Sequence, residues 1–140
     1  MTSTAPAAAR DCVLIVDDDR AARETLAAIL GEFYEVDLVR NAKEATEHLS
    51  ARTYQVLITD YQMPGMTGLQ LLNVVGVAYP NMVAILLTAH SRTREIREAD
   101  HERKIFAVLT KPCDPEGLVR TMRLAVATSR MRCMNARQSP

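Results

Sequence analysis

The stretch VLIVDDDRAARE, residues 13–24, joins four apolar residues directly to three consecutive aspartates. Two carboxylates about 4 Å apart repel each other by roughly 4 kcal/mol at an effective dielectric constant of about 20. Such crowding is unfavourable unless the acids splay into water or a cation lies among them. The stretch therefore predicts a buried strand that ends either in a polar loop with a helix cap or in a metal site.

Further apolar runs indicate a sheet around this first strand. Runs like CVLIV at 12–16 recur as VLIT at 56–59, MVAILLT at 82–88 and IFAVLT at 105–110. Continuous rather than alternating apolarity is typical of parallel strands that are covered on both faces. The segment YEVDLV at 34–39 alternates instead, which predicts a more exposed edge strand.

Helical patterns lie between these runs. Apolar residues at the i, i+3, i+4, i+7 spacing of one helix face are Leu26, Ile29, Leu30 and Phe33, with a similar set at Leu118, Met122, Ala125 and Val126. Weaker patterns predict helices at 42–49, 69–75 and 91–103, the last a lightly docked, mobile helix with little besides Ile96 and Ala99 to bury. Strands alternating with helices predict a doubly wound α/β fold of five βα units around a parallel sheet.

The composition restricts the class of protein. The 140 residues are 48% hydrophobic and 24% charged, and 17 basic side chains balance 17 acidic ones. These values predict one soluble domain and give no indication of direct nucleic-acid or membrane binding. Cys12, Cys113 and Cys133 show no disulfide or zinc pattern, which is typical of a reducing compartment.

The ends of the chain are predicted to lie outside the domain. Its start, MTSTAPAAARD, has neither the features of a signal peptide nor an apolar run of membrane-spanning length. We therefore predict a cytoplasmic protein with a disordered tail at 1–9, a domain at 10–129 and a linker or C-terminal tail at 130–140.

Five polar residues stand at the predicted strand ends: Asp17, Asp18, Asp60, Thr88 and Lys111. Ligands of doubly wound sheets bind beyond the carboxyl ends of the strands, at the switch in strand order. Taken singly, each residue has an ordinary explanation as a loop acid, a hydroxyl bonded to the backbone or a solvated lysine. Together they predict a single cleft lined by three acids, a hydroxyl and an amine.

This set of side chains suits phosphoryl transfer to a carboxylate. Mg²⁺ prefers oxygen ligands, so carboxylates, a backbone carbonyl and a phosphoryl oxygen suit it. Asp60 would be the nucleophile, while Lys111 and the Thr88 hydroxyl would contact phosphoryl oxygens. Pro64, Gly65 and Gly68 predict a tight turn in the loop after Asp60 that offers a carbonyl to the metal. The Lys111–Pro112 bond is a candidate cis peptide that would aim the lysine inward.

The motifs VLIVDDD, VLITDYQMPGMTGLQLL, AILLTAH and LTKP, in this order, resemble the receiver domain of two-component response regulators. The resemblance covers about residues 10–129. It implies a flavodoxin-like (βα)5 sandwich with strand order 2-1-3-4-5. It also implies an acidic pair at the metal, a phosphoacceptor, a switch hydroxyl and a phosphate-contacting lysine, which match Asp17 and Asp18, Asp60, Thr88 and Lys111 respectively.

Further roles follow from the same resemblance. The Gln62 backbone carbonyl would complete a site for Mg²⁺ or Mn²⁺, and the positions of Gln62 and His90 would set the lifetime of the phosphoryl group. Asp19 would cap the first helix. The partner would be a sensor histidine kinase or histidine phosphotransfer protein, and phosphorylation would switch the conformation to control an output domain or partner. Such a chain would catalyse no reaction beyond its own phosphorylation and dephosphorylation.

The sequence departs from the family pattern at the switch aromatic. Val108 occupies the position three before Lys111 where many receivers have an aromatic residue. Period-2 alternation predicts that Phe106 shares a face with Val108, which leaves open whether Phe106 takes over the aromatic's role.

Two other functions fit parts of the pattern. Asp17 and Asp19 have the D-x-D spacing of haloacid-dehalogenase-type phosphohydrolases, although Asp60 would then have no role. A pseudo-receiver that signals without phosphate is the second alternative. The chain would be a stand-alone receiver or part of a longer regulator, and IFAVLTKPCDPEGL is similar to receivers that precede HD-type phosphodiesterase domains, among others.

Overall fold

The computed structural model describes residues 10–89, 93–102 and 104–138. The strands are β1 (Cys12–Val16), β2 (Glu35–Val39), β3 (Val56–Asp60), β4 (Val83–Thr88) and β5 (Ala107–Thr110). The helices are α1 (Arg20–Leu30), α2 (Ala42–Ala51), α3 (Gly68–Ala78), α4 (Arg94–His101) and α5 (Pro115–Gln138). His90, which was expected to influence the lifetime of the phosphoryl group, is outside the described residues. The first two residues of the predicted fourth helix, 91 and 92, are outside them as well.

The five strands form one parallel sheet in the order β2-β1-β3-β4-β5, as predicted. Successive residues of a strand point to opposite faces, so Leu14 and Val13 of β1 belong to different core clusters. Helices α2, α3 and α4 cover one face with the first cluster, and α1 and α5 cover the other with the second. The doubly wound architecture is therefore confirmed.

Burial follows the position of each strand in the sheet. All five residues of β3 are buried, because β1 and β4 flank this strand and helices cover both of its faces. Strand β2 is the more exposed edge strand that the sequence predicted, although Leu38, which the alternation grouped with Tyr34 and Val36, is 37% exposed. Strand β5 is the other edge and is half-buried despite its continuous apolar run. Uninterrupted apolarity therefore did not distinguish this edge strand from a central one.

The predicted helix face that ended on Phe33 is wrong at that residue. Helix α1 ends at Leu30, and the backbone N–H groups of Phe33 and Tyr34 donate to the Leu30 carbonyl in a tight turn. Phe33 is consequently 46% exposed, whereas Tyr34 is buried against the α1 and α5 side of the sheet. The i+7 position is apolar, but it follows the turn at Gly31 and so falls beyond the helix.

Helix α5 runs through much of the segment predicted as a linker or tail. Its helical conformation continues to Gln138. Arg130 forms an ion pair with Asp11 at 2.5 Å, and Arg132 donates to the Met82 carbonyl at 3.2 Å. The segment is therefore helical to residue 138, and its assignment as a linker or C-terminal tail after a boundary at residue 129 stays a prediction.

Helix α4 is shorter than the predicted 91–103 segment and buries Ile96 and Ala99, the two residues expected to dock it. In the described part of the chain, no helix combines the length and apolarity that crossing a membrane requires.

Candidate functional site

The carboxyl edge of the sheet gathers the polar residues that the sequence indicated. Asp17 directly follows β1, Asp60 and Thr88 are the last residues of β3 and β4, and Lys111 directly follows β5. Asp17, Asp60 and Thr88 are 0%, 8% and 3% exposed. Buried polar groups cost free energy unless they have partners, so each must be satisfied within the site.

Asp17, Asp18 and Asp60 form an acidic cluster at this edge. One carboxylate oxygen from each residue lies within 4.8 Å of the others. Asp17 is buried, Asp60 is nearly buried and Asp18 is exposed to solvent. Three hard oxygen donors this close together match the ligand preference of a divalent cation that retains some of its waters. The cluster could therefore hold a metal ion, which supports the metal reading of the aspartate run.

Lys111 reaches into the acidic cluster from β5. Its Nζ donates to Asp17 Oδ2 at 2.6 Å and lies 3.4 Å from Asp60 Oδ2. Burial alone would lower the pKa of Lys111, but the hydrogen bond and negative charge of Asp17, together with Asp60, raise the pKa above its ordinary value. The lysine is therefore a fixed ammonium group beside the buried carboxylates.

The backbone aims Lys111 at the site. The Lys111 N–H donates to the Thr88 carbonyl at 2.9 Å, which places the lysine beside the end of β4. The Lys111–Pro112 peptide bond is cis, as the sequence suggested.

Asp60 carries an unfavourable charge in this environment. Burial raises the pKa of its carboxyl group, and the neighbouring Asp17 carboxylate raises it further. The Lys111 ammonium lowers the pKa but does not cancel these effects. A cation or an added electrophile would relieve the excess negative charge around Asp60.

The loop after Asp60 is built tightly against the site. Gly65 has a φ of +86°, a left-handed conformation that glycine adopts without strain. Thr67 and Gln70 form a capping box at the start of α3. Gly68 lies against the Asp60 carbonyl, where a Cβ atom would collide. Gln62 is exposed in this loop, and the role of its carbonyl as a metal ligand stays a prediction.

Asp19 differs from the two aspartates before it. Its Oδ1 accepts a hydrogen bond from the Ala21 N–H at 3.1 Å, and it is the N-cap of α1 as predicted. Its own N–H donates to Asp17 Oδ1 at 2.9 Å. The run of three acids thus divides into two candidate metal ligands and one helix cap.

Val108 and Phe106 do not share a face, contrary to the alternation argument. Val108 packs with the cluster under α2, α3 and α4, whereas Phe106 packs with the cluster under α1 and α5. Strand β5 begins at Ala107, so period-2 alternation does not extend back to Phe106. Phe106 and Val108 therefore pack on opposite faces of the sheet. A switch role for either residue stays a prediction.

Sequence reasoning missed Tyr61 as a link from the site to α4. The Tyr61 hydroxyl donates to Glu95 Oε2 at 2.9 Å, and this contact raises the pKa of Tyr61. The Tyr61 N–H also donates to the Leu87 carbonyl at 2.8 Å, next to Thr88. An aromatic directly after Asp60 and an acid in the first turn of α4 were the available signals.

Known proteins resemble the chain in both sequence and structure. The hydrogenase transcriptional regulatory protein HoxA of Cupriavidus necator is 32% identical over 114 residues, which are 81% of this chain and 24% of that protein. The DNA-binding transcriptional regulator NtrC of Escherichia coli strain K12 is 34% identical over 119 residues, or 84% and 25% of the two chains. The chain thus spans about a quarter of the length of these curated relatives.

A solved structure agrees with the fold. The signal receiver domain of an HD domain-containing protein from Pseudomonas fluorescens Pf-5 superposes with a TM-score of 0.82 at 28% identity, and the match covers 87% of this chain and 98% of that one. The family model described as the response regulator receiver domain matches residues 13–123. Together with the cluster of acids and lysine at the sheet edge, this match shows that the chain belongs to the response regulator receiver domain family.

Proposed function

We propose that Asp60 accepts a phosphoryl group from a phosphohistidine of a sensor histidine kinase or histidine phosphotransfer protein, in a reaction that requires Mg²⁺ or Mn²⁺. The observation that carries the proposal is the position of Asp60, a nearly buried carboxylate beside those of Asp17 and Asp18 and 3.4 Å from the Lys111 ammonium. The carboxylates suit the metal, and the ammonium suits an incoming phosphoryl oxygen.

The transfer forms one bond and breaks another. An Asp60 carboxylate oxygen forms a P–O bond as the P–N bond of the phosphohistidine breaks, and the electron pair of that bond returns to the imidazole nitrogen. A bound Mg²⁺ would neutralise charge on the phosphoryl oxygens. Lys111 would move its hydrogen bonds from the carboxylates to a phosphoryl oxygen, and the Thr88 hydroxyl would donate to another.

A phosphoryl group on Asp60 would also bias the surrounding structure. Thr88 and Tyr61 are the residues through which the change would spread, because Thr88 ends the neighbouring strand and Tyr61 connects the loop to Glu95 of α4. We propose that this conformational change controls an output domain or a partner in the cytoplasm, and that the chain catalyses no other reaction. The names of HoxA and NtrC as transcriptional regulators are consistent with such an output.

The direct test measures a covalent adduct. The protein is incubated with Mg²⁺ and acetyl phosphate, and intact-mass spectrometry is expected to show one added phosphoryl group that is absent in Asp60→Asn. Asp19→Asn is the matched control, because it alters the same acidic region and leaves a competent cap, and it should still be phosphorylated.

Two outcomes would contradict the proposal. Sustained phosphomonoester turnover that needs Asp17 and survives Asp60→Asn would indicate a haloacid-dehalogenase-type hydrolase. A folded, Mg²⁺-binding protein that gains no mass with any small phosphodonor or phosphohistidine protein would indicate a receiver that signals without phosphate.

A further inference from the structure

Arg23 of α1 is a half-buried arginine that takes no part in the proposed phosphoryl transfer. It stands in the first turn of the helix, and its side chain reaches back towards β1. There its Nη1 donates a hydrogen bond to the Asp17 carbonyl oxygen at 2.8 Å. This contact closes the turn between β1 and α1, which is the turn that carries Asp18.

Arg23 is not half of a surface ion pair, which is the ordinary role of an arginine on a helix. Arg20, at the start of the same helix, is exposed and pairs with Glu24 at 2.8 Å. In contrast, no ion pair within the described part of the chain includes Arg23. Its charged donor is directed at a backbone carbonyl instead, and such a hydrogen bond is stronger than one between neutral groups.

The Asp17 carbonyl is the group through which the chain enters the metal-binding turn. It belongs to the same planar peptide group as the Asp18 N–H, so holding the carbonyl sets the direction of the next residue. On its other side, the Asp17 N–H donates to the Val39 carbonyl at 3.1 Å. The Arg23 backbone is also fixed, because its N–H donates to the Asp19 carbonyl at 3.1 Å. A helix therefore holds the peptide group that leads to Asp18.

Asp18 depends on its backbone more than the other two acids of the cluster do. The Asp17 carboxylate accepts hydrogen bonds from Lys111 and from the Asp19 N–H. The Asp60 carboxylate lies beside the same ammonium. Among the residues that the structure describes, none forms a hydrogen bond or an ion pair with the exposed Asp18 carboxylate. The geometry of the turn therefore decides where the Asp18 oxygens meet a cation.

We propose that Arg23 is a positioning residue for the metal site: by holding the Asp17 carbonyl, it keeps an Asp18 carboxylate oxygen within 4.8 Å of those of Asp17 and Asp60. The proposal deepens the proposed function and rests on a divalent cation binding at the acidic cluster. Arg23 touches neither the cation nor the phosphoryl group and acts through Asp18. Groups that orient metal ligands in this way typically change metal affinity by about 10-fold to 100-fold when they are replaced.

The charge of Arg23 and its hydrogen bond affect cation binding in opposite directions. A positive charge near the acidic cluster repels Mg²⁺, so its removal alone should tighten Mg²⁺ binding slightly, and salt should screen this effect. Loss of the hydrogen bond should weaken Mg²⁺ binding, because the turn would no longer hold Asp18. The sign of the change in Mg²⁺ affinity therefore separates the two effects.

The test measures Mg²⁺ affinity without a phosphodonor. The melting temperature is recorded in EDTA and over a series of MgCl₂ concentrations, and its rise gives an apparent dissociation constant. Arg23→Met should raise this constant about tenfold or more. Arg20→Met is the matched control, because it removes the same charge from the same helix turn, and its constant should equal or lie slightly below that of the wild type. Arg23→Lys keeps the charge and a donor, so its constant should lie between those of Arg23→Met and the wild type.

Phosphorylation of Asp60 by acetyl phosphate provides a second measurement. Arg23→Met should be phosphorylated slowly at limiting Mg²⁺ and at nearly the wild-type rate at saturating Mg²⁺, because the acceptor itself is unaltered. A rate that stays low at saturating Mg²⁺ would show general damage to the site and contradict the proposal. Because the melting experiment needs no phosphodonor, a wild type that binds Mg²⁺ but accepts no phosphoryl group would contradict only the proposed function.

Circular dichroism in EDTA shows whether each variant is folded. If Arg23→Met does not fold, Arg23→Gln replaces it, because the glutamine side chain is polar but too short to make the contact. The proposal is wrong if a folded variant without the guanidinium binds Mg²⁺ as tightly as the wild type or more tightly. It is also wrong if neither variant folds, since Arg23 would then stabilise the fold rather than position Asp18, or if Mg²⁺ leaves the wild-type melting temperature unchanged.

Discussion

Asp17 and Asp18 are chemically identical neighbours, yet their surroundings differ. Asp17 is fully buried and accepts hydrogen bonds from the Lys111 ammonium and the Asp19 N–H, while Asp18 is exposed at the mouth of the site. Asp17 is thus held by the folded chain, and we expect Asp18 to act mainly on a bound cation. Asp17 directly follows β1 at the buried edge of the sheet, whereas Asp18 lies one residue further along the loop before α1.

Substitutions at Asp18 and Asp19 should separate function from stability. Asp19→Ala removes the cap of α1 and should lower the free energy of unfolding by about 1 kcal/mol. It should leave phosphorylation by acetyl phosphate largely intact. Asp18→Ala should abolish Mg²⁺-dependent phosphorylation with little change in stability. Urea unfolding and intact-mass measurements check both variants, and equal loss of phosphorylation in the two would show that the run was divided wrongly.

The raised pKa of Asp60 predicts a stability effect. The folded protein binds the Asp60 proton more readily than the unfolded chain does, so this group reduces stability as the pH rises through its folded pKa. Asp60→Asn should therefore raise the melting temperature by a few degrees at neutral pH without divalent cations. The gain should disappear below the ordinary carboxyl pKa of 3.8. A lower melting temperature at neutral pH would mean that attraction to Lys111 outweighs burial and repulsion.

At the scale of elements, helix α3 shows how the loop after Asp60 is positioned. Its first residue, Gly68, packs against the Asp60 backbone, and its N–H donates to the Tyr61 carbonyl at 2.8 Å. The glycines in this loop predicted a tight turn, but the sequence did not indicate that Gly68 would lie against the Asp60 backbone. That approach is a property of α3 lying over the end of β3.

Two glycines of α3 provide a matched pair of substitutions. Gly68→Ala should lower the free energy of unfolding by about 1–3 kcal/mol, because the added Cβ collides with the Asp60 carbonyl. Gly76→Ala adds a Cβ in open space within the helix and should raise it by about 0.5–1 kcal/mol. Chemical denaturation measures both changes. A neutral Gly68→Ala variant would show that the start of α3 can move away from the site.

At the scale of the whole molecule, the sheet brings distant segments together. Lys111 and Asp17 are 94 residues apart in sequence and 2.6 Å apart in space. The order β2-β1-β3-β4-β5 places β1 and β3 side by side, so the carboxylates at their ends must share one edge. Folding therefore assembles the acidic cluster, and a cation bound there would relieve the repulsion among its carboxylates.

Metal binding should consequently stabilise the whole domain. A ligand present at 100 times its dissociation constant adds about 2.7 kcal/mol to the free energy of unfolding. Saturating Mg²⁺ should raise the melting temperature of the wild type, and EDTA should reverse the change. Asp18→Asn should lose most of this gain while keeping the same melting temperature in EDTA. An equal Mg²⁺ response in the variant would place the cation elsewhere.

The order of strands and helices and the polar residues at the strand ends could be predicted from the residue pattern alone. Apolar runs interrupted by amphipathic segments specify a doubly wound sheet, since local periodicity reflects which faces are buried. The sequence also indicated the cap at Asp19, because capping is a contact between near neighbours. Other features became visible only in the folded chain: the end of α1 before Phe33, the separation of Phe106 from Val108 and the contact from Tyr61 to Glu95. These features depend on where a segment lies against its neighbours, and residue patterns along one chain do not carry that information.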